Sequence, residues 1–264
     1  MHWTRVVVGL LASTTVVVAE PGDAQPLGPP PPPPPLPGEA APEIDAGIAE
    51  DASSGRNWLT PTALTPPAGT WWISSHDLVV ASMGYAATDR VTMSATVLLP
   101  LDTGFVGAAS IKAQLVRVGH VRAAVQLLAL HVSDGDSDLR TSAAGGTAIT
   151  LCLDTGCHSH ATGYIGAGYG VDTDVDDNRR AGVAAAGLTL RITPIVKVVL
   201  EADIAVKFGD TDDFLLASYG VRFTAGAGAL DLGLAKPICS SCSVDDFPLG
   251  FPLVSFTYRS YNSD

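Results

Sequence analysis

The sequence has no second long apolar run. After an N-terminal apolar stretch from Val6 to Ala19, no uninterrupted run approaches the roughly 18 to 20 residues that a membrane-spanning helix needs. Helical membrane spans are therefore excluded, although 47% of the residues are hydrophobic and only 16% are charged. A closed β-barrel is not excluded, because its spanning strands alternate apolar and polar residues and give no continuous signal.

Basic clusters are also absent. The chain has 15 Lys and Arg against 27 Asp and Glu, for a net charge of -12. Because nucleic-acid binding depends on concentrated positive charge, nucleic acid is not expected as a partner. No cysteine stands directly after the N-terminal apolar stretch, so a bacterial lipoprotein anchor is not expected either.

The N-terminus has the pattern of a secretory signal peptide. A short region with Arg5 precedes the apolar stretch, and small residues allow cleavage after Ala19 or Ala24. We predict a signal peptide over residues 1–19, with position 24 as the alternative end. An uncleaved anchor is the other interpretation, but the stretch is shorter than the ~20 residues of a spanning helix.

Residues 20–56 are rich in Pro, Ala, Gly and acidic residues, with seven consecutive prolines at 29–35. Such a segment has too few apolar side chains to offset the entropy of ordering, and the proline run favours a stiff, extended spacer. We predict a disordered linker here that lies in the periplasm, with a peptidoglycan-contacting or partner-docking role as the alternative. The remaining residues, 57–264, form the predicted domain.

A strict alternation at 196–208 is the clearest structural signal in that domain. Val196, Val198, Leu200, Ala202, Ile204, Val206 and Phe208 interleave with Lys197, Val199, Glu201, Asp203, Ala205 and Lys207. Because a strand turns successive side chains to opposite faces, one face is apolar and the other carries charges. This two-faced strand suits either a membrane barrel or a soluble sandwich.

Alternation bounded by turn residues predicts an even number of strands. The twelve strands are expected near 70–76, 78–87, 91–99, 107–118, 121–133, 146–153, 160–171, 181–193, 196–208, 213–225, 228–236 and 252–261. Mostly short connections alternate with longer, mostly acidic ones, of which the loop at 134–145 is an example. This arrangement is typical of a bacterial outer-membrane barrel with both termini at the short-turn, periplasmic side. We therefore predict an all-β fold, a closed antiparallel transmembrane barrel, with a secreted soluble β-sandwich binding module as the alternative.

The faces of the predicted strands assign a polar lumen of mixed charge. The inward residues are Lys112, Gln114, Arg191, Lys197, Glu201, Asp203, Lys207, Arg222, Asp231 and Arg259. These side chains either pair and fill a structural barrel or line a narrow pore for small solutes. An outer-membrane enzyme, a hydrolase or lipid-modifying protein, is the alternative. No serine, histidine and acid can be placed together on one rim, so no catalytic residue is predicted and a non-enzymatic role is expected.

The four cysteines are expected to form disulfides, since the chain is exported. The predicted topology places Cys152 and Cys157 at the periplasmic rim and Cys239 and Cys242 in the last external loop. Only the pairs 152–157 and 239–242 then form. A redox or zinc site at Cys239-Ser-Ser-Cys242 is the alternative to a loop staple, but it lacks a helix or a second cysteine pair nearby.

Two acidic runs are weak candidates for binding Ca²⁺ or Mg²⁺, which prefer clustered oxygen ligands. They contain Asp134, Asp136 and Asp138, and Asp172, Asp174 and Asp176. Neither run completes an EF-hand, so solvated turn residues are the simpler interpretation. No other cofactor is expected.

One part of the chain carries a family resemblance. Residues 56–63, read Arg-Asn-Trp-Leu-Thr-Pro-Thr-Ala, are followed by Gly69 and by residues 80–94, read Val-Ala-Ser-Met-Gly-Tyr-Ala-Ala-Thr-Asp-Arg-Val-Thr-Met-Ser. This pattern resembles the opening of a family of uncharacterised, porin-like bacterial outer-membrane barrels. Departures are Ala86 in place of a glycine and a C-terminus that does not end on an aromatic residue. The resemblance implies fold and location; outer-membrane lipid and the barrel-assembly machinery are the expected partners, and no oligomeric state is predicted.

Overall fold

The computed structural model of the chain describes residues 51–77, 79–98, 105–134, 138–172, 179–207, 214–238 and 249–260. The predicted signal peptide lies outside these residues, and so does the linker as far as residue 50. Also outside are Asp136, Asp174, Asp176, Cys239 and Cys242, together with the side chains of Asp134, Asp138, Asp172 and Lys207.

The described residues form twelve strands. They are β1 (Trp71–His76), β2 (Val80–Thr88), β3 (Val91–Leu98), β4 (Phe105–Val118), β5 (Val121–Asp134), β6 (Asp138–Cys152), β7 (His160–Asp172), β8 (Arg179–Thr193), β9 (Val196–Lys207), β10 (Phe214–Ala225), β11 (Gly228–Ile238) and β12 (Phe251–Ser260). Within the part of the chain that is described, no helix has the length and apolar character needed to cross a membrane.

The strands close into a barrel in which each strand pairs with its sequence neighbours and β1 pairs with β12. Every pairing is antiparallel, and the closing pair runs from Trp71 opposite Ser260 to His76 opposite Ser255. Closure leaves no sheet edge with unpaired backbone groups. The prediction of an all-β, closed, antiparallel barrel is confirmed, and the alternative of a two-sheet sandwich is wrong.

The length of β6 was not anticipated. The predicted loop at 134–145 is wrong in extent, because β6 begins at Asp138 and pairs with β5 as far as Asp134. This stretch contains Ala143, Ala144, Gly145 and Gly146, which have weak strand propensity and no apolar alternation. Hydrogen bonds from β5 on one side and β7 on the other keep it extended all the same, because context outweighs propensity in a sheet.

The barrel is apolar outside and polar inside. Outward Ile165, Leu127 and Met83 are 68%, 64% and 60% exposed, whereas Arg222 and Asp231 are fully buried at 0%. Since strand side chains alternate, the charged face of each strand lines the lumen and the apolar face covers the outer wall. This is the reverse of a water-soluble protein, in which apolar side chains fill the interior.

Five short connections define what we call the short-turn rim: 89–90, 119–120, 153–159, 194–195 and 226–227. The chain also enters β1 and leaves β12 at this rim. The Cys152–Cys157 disulfide closes the longest of these turns, as predicted. Asp154 stabilises the same turn by accepting hydrogen bonds from the backbone N–H groups of His158 (2.8 Å) and Ser159 (2.7 Å).

Candidate functional site: a plug in the barrel lumen

Residues 51–65, here called the plug, lie inside the barrel. The plug folds back on itself, because the N–H of Asn57 donates to the carbonyl of Thr60 (3.0 Å) and the N–H of Thr62 donates to that of Gly55 (3.0 Å). A β-bridge between Arg56 and Pro61 completes this small hairpin. Of the predicted linker 20–56, the six described residues are therefore packed within the lumen.

The plug enters the lumen from the short-turn rim. Asp89, in the β2–β3 turn, accepts the Thr65 hydroxyl on its carbonyl (2.7 Å) and the Ala68 N–H on its carboxylate (2.8 Å). Gly69 then adopts a φ of 77°, a backbone conformation that glycine tolerates without strain. The chain turns there into β1, so the plug and the first strand are joined directly at the rim.

Arg222 of β10 is the centre of a buried charge network. Its guanidinium donates to both carboxylate oxygens of Asp231 on β11, at 2.7 and 3.4 Å. It also donates to the Asp51 carboxylate of the plug (3.3 Å) and to the backbone carbonyl of Asn57 (2.7 Å). Further bonds reach the carbonyls of Ser53 (3.2 Å) and Arg56 (3.4 Å). The plug therefore wraps around this single wall side chain.

Two further ion pairs extend the network. The ammonium of Lys197 lies 2.9 Å from the Asp51 carboxylate, and the guanidinium of Arg56 lies 3.1 Å from Asp231. Burial alone would raise the pKa of the Asp51 carboxyl, but the positive charges of Arg222 and Lys197 outweigh burial and hold that pKa below its ordinary value. Asp51 is therefore ionised at neutral pH, and each of its charged neighbours has a partner of opposite sign.

Glu201 of β9 holds the tip of the hairpin. Its carboxylate accepts three consecutive backbone N–H groups, from Trp58 (2.7 Å), Leu59 (3.0 Å) and Thr60 (3.0 Å). The indole N–H of Trp58 donates to the carbonyl of Val199 on the same strand (3.1 Å). Since one carboxylate accepts three consecutive amide N–H groups, Glu201 fixes the position of the tip against β9.

The opposite wall holds the plug through neutral carbonyls. The Lys112 ammonium donates to three plug carbonyls, those of Gly55 (3.2 Å), Thr62 (3.1 Å) and Leu64 (2.7 Å). The side-chain amide of Gln114 donates to the carbonyl of Ala63 (2.6 Å). The plug is thus attached to β4 as well as to β9, β10 and β11.

Glycines in the wall make room for the plug. A Cβ atom added at Gly233 would lie 2.6 Å from the indole of Trp58, and one added at Gly220 would lie 2.8 Å from the same ring. A Cβ atom at Gly187 would overlap the side chain of Asn57. The lumen is therefore shaped for these plug side chains.

Most of the predicted lumen residues lie buried in the interior. Those that contact the plug are Lys112, Gln114, Lys197, Glu201, Arg222 and Asp231. Arg259 and Asp203 are also buried, at 1% and 4% exposed, and Arg191 is half-buried. Sequence reasoning missed the plug residues Asp51, Arg56 and Trp58. The signal that could have indicated them was the set of inward charged side chains, because buried charges need partners of opposite sign.

An apolar groove of about 770 Å³ lies near β1–β5, lined mainly by outward-facing side chains such as Met83, Met93 and Leu127. It follows a row of small outward residues, Ala95, Ala109 and Ala129, that are paired across β3, β4 and β5. No charged side chain lines the groove, so it offers no charged anchor for a ligand.

No group of three or more His, Cys, Asp or Glu side chains in the described ranges is arranged to hold a metal ion.

No protein-family model matches the sequence, and a search of curated proteins finds no match either. The fold and the lumen together define a closed, twelve-stranded β-barrel that is plugged by its own N-terminal segment.

The Glu201 carboxylate is the most direct test of plug docking. Glu201→Gln keeps the size of the side chain but removes the charge that three amide N–H groups share. Because hydrogen bonds to charged groups contribute about 1.5 to 3 kcal/mol, we expect faster hydrogen exchange at the amides of Trp58, Leu59 and Thr60. Exchange measured by mass spectrometry on the peptide that spans these residues gives the result.

Ser94→Ala is the matched control, because the Ser94 hydroxyl bonds to Ser110 on the wall and not to the plug. It should leave exchange in the plug unchanged. Equal exchange at 58–60 in the wild type and in Glu201→Gln would show that Glu201 does not hold the tip.

Proposed function

We propose that the protein is a bacterial outer-membrane barrel that is closed at rest by its own plug, with a structural and non-enzymatic role. The observation that carries the proposal is the plug itself, whose charged groups Asp51 and Arg56 pair with charges on the wall inside the lumen. The upstream segment would extend into the periplasm from the short-turn rim.

The outer wall supports contact with lipid. Large apolar side chains are exposed around the barrel, from Met83 on β2 to Val254 on β12. Near the short-turn rim, outward Trp71 lies 5.9 Å from Tyr258, measured between ring centroids. Aromatic rings at this height are typical of the interface between lipid and water.

The buried charges support a closed resting state. Removing the plug would leave Arg222, Lys197 and Glu201 without partners that they have in the closed form. Uncompensated buried charges are costly, at about 3 to 5 kcal/mol for a broken buried pair. Water that enters the opened lumen offsets part of this cost, so a gated small-solute pore is the second candidate and requires withdrawal of the plug.

A charge on the outer wall tests the contact with lipid. Leu127→Arg places a charge on the apolar face of β5, whereas Leu153→Arg places the same charge in the turn at the rim. In lipid, an outward arginine near the midplane costs about 2 to 4 kcal/mol and one near the interface about 0 to 1. We therefore expect Leu127→Arg to lower the free energy of unfolding from lipid vesicles much more than Leu153→Arg. Equal effects would contradict a lipid-covered wall.

Single-channel recording in planar bilayers tests the plug. We expect no steady conductance from the wild-type protein and frequent openings from the double variant Arg56→Gln/Glu201→Gln, which loses two attachments of the plug but keeps the Arg222–Asp231 pair on the wall.

A disulfide lock provides the control. The side-chain oxygens of Ser53 in the plug and Thr257 on β12 lie 2.9 Å apart, so Ser53→Cys/Thr257→Cys would tether the plug to the wall. Added to the double variant, the lock should abolish the openings, and reductant should restore them. Steady conductance from the wild type, or openings that the lock does not change, would contradict closure by the plug.

A further inference from the structure

Asp203 of β9 is a buried acidic residue that lacks a hydrogen-bond donor among the described residues. It is 4% exposed, it faces the lumen two residues beyond Glu201, and neither of its oxygens has a hydrogen-bond partner among the described residues. The carboxyl group of Glu201 is its direct neighbour. Two adjacent carboxyl groups in the interior need either a compensating positive charge or a shared proton, because the cost of burying an unpaired carboxylate is large.

Two neutral side chains that have no partner among the described residues lie beside Glu201 in the strand register. Ser218 of β10 is opposite Glu201 in the strand register, is 2% exposed, and has no partner for its hydroxyl. Asn57 of the plug is fully buried, lies against Gly187, and has no partner for either side-chain atom. Since Gly187 is the register partner of Glu201 on β8, Asn57, Glu201 and Ser218 lie at the same level of three neighbouring strands.

We propose that Asp203, Glu201, Ser218 and Asn57 bind one hard divalent cation, with Ca²⁺ as the best match. All four side chains offer oxygen ligands, and two carboxylates balance the charge of a divalent ion. In the described part of the chain no donor reaches either Asp203 oxygen, and Glu201 keeps a lone pair beyond the three amide bonds that it accepts. Water molecules complete the six to eight ligands that calcium takes.

The cation would join the plug to the wall, because Asn57 belongs to the plug and the other three ligands belong to β9 and β10. It differs from a site in the acidic runs of the loops, since all four residues lie within the barrel. The proposal does not depend on the location of the barrel in a membrane, and it can be tested on protein folded in detergent.

Calcium titration of the full chain is the test. Tb³⁺, a luminescent ion that occupies calcium sites, should show emission sensitised by Trp58, whose backbone N–H bonds to Glu201. Excess Ca²⁺ should quench this emission and should raise the unfolding temperature of the wild type. Asp203→Asn should weaken binding about tenfold or more and abolish the stabilisation, because it removes one of two ligand charges.

Two serine variants separate the site from general effects on the lumen. Ser218→Ala should weaken Tb³⁺ binding, whereas Ser82→Ala should not, since the Ser82 hydroxyl already bonds to Thr96. Unchanged unfolding of the wild type with added Ca²⁺, or equal Tb³⁺ emission from Asp203→Asn, would overturn the proposal. A stability that responds to pH and not to calcium would assign a shared proton to the two carboxyl groups instead, and would also overturn it.

Discussion

The Arg222 guanidinium contacts Asp231 on one side and Asp51 on the other, and the rest of the lumen depends on this contact. A fully buried guanidinium is tolerated only when its donors are satisfied and its charge is balanced. The wall supplies Asp231, but the plug supplies Asp51 and the carbonyls of Ser53, Arg56 and Asn57. The same contacts between the plug and the wall therefore close the lumen and balance the buried charges of the wall.

The same constraint explains why strand side chains alone do not fill this barrel. A barrel of about eight strands can be filled by its inward side chains, but the interior widens as strands are added. Here the extra width is occupied by a folded hairpin at the short-turn rim, with Lys112 on one wall and Glu201 on another. The glycines opposite Trp58 and Asn57 show that the wall and the plug fit each other.

The strands and their faces followed from the sequence because alternation is a local property. The pattern around Lys197 and Glu201 predicts the face of β9, and turn residues such as Gly119 and Pro194 predict the ends of strands. The prediction failed at the start of β6, where alanine and glycine replace the apolar alternation and pairing with β5 and β7 determines the structure.

The plug could not be derived in the same way. Its composition is polar and it follows a proline-rich segment, which favours disorder when read locally. Its order comes from contacts far apart in sequence, such as Arg56 with Asp231 and Trp58 with Glu201, at separations of 175 and 143 residues. Inward charges can be assigned from strand faces, but alternation contains no information on which distant residue pairs with each charge.

A double-mutant cycle between the plug and the wall measures whether the charges of the wall hold the plug. The cycle combines Asp51→Asn with Lys197→Met, whose charged atoms are 2.9 Å apart in the native protein, and reads the free energy of unfolding of all four forms at neutral pH. We expect a favourable coupling of about 0.5 to 3 kcal/mol, as for residues in one ion-pair network. Additive effects, with no coupling, would show that the plug is not held by the charges of the barrel wall.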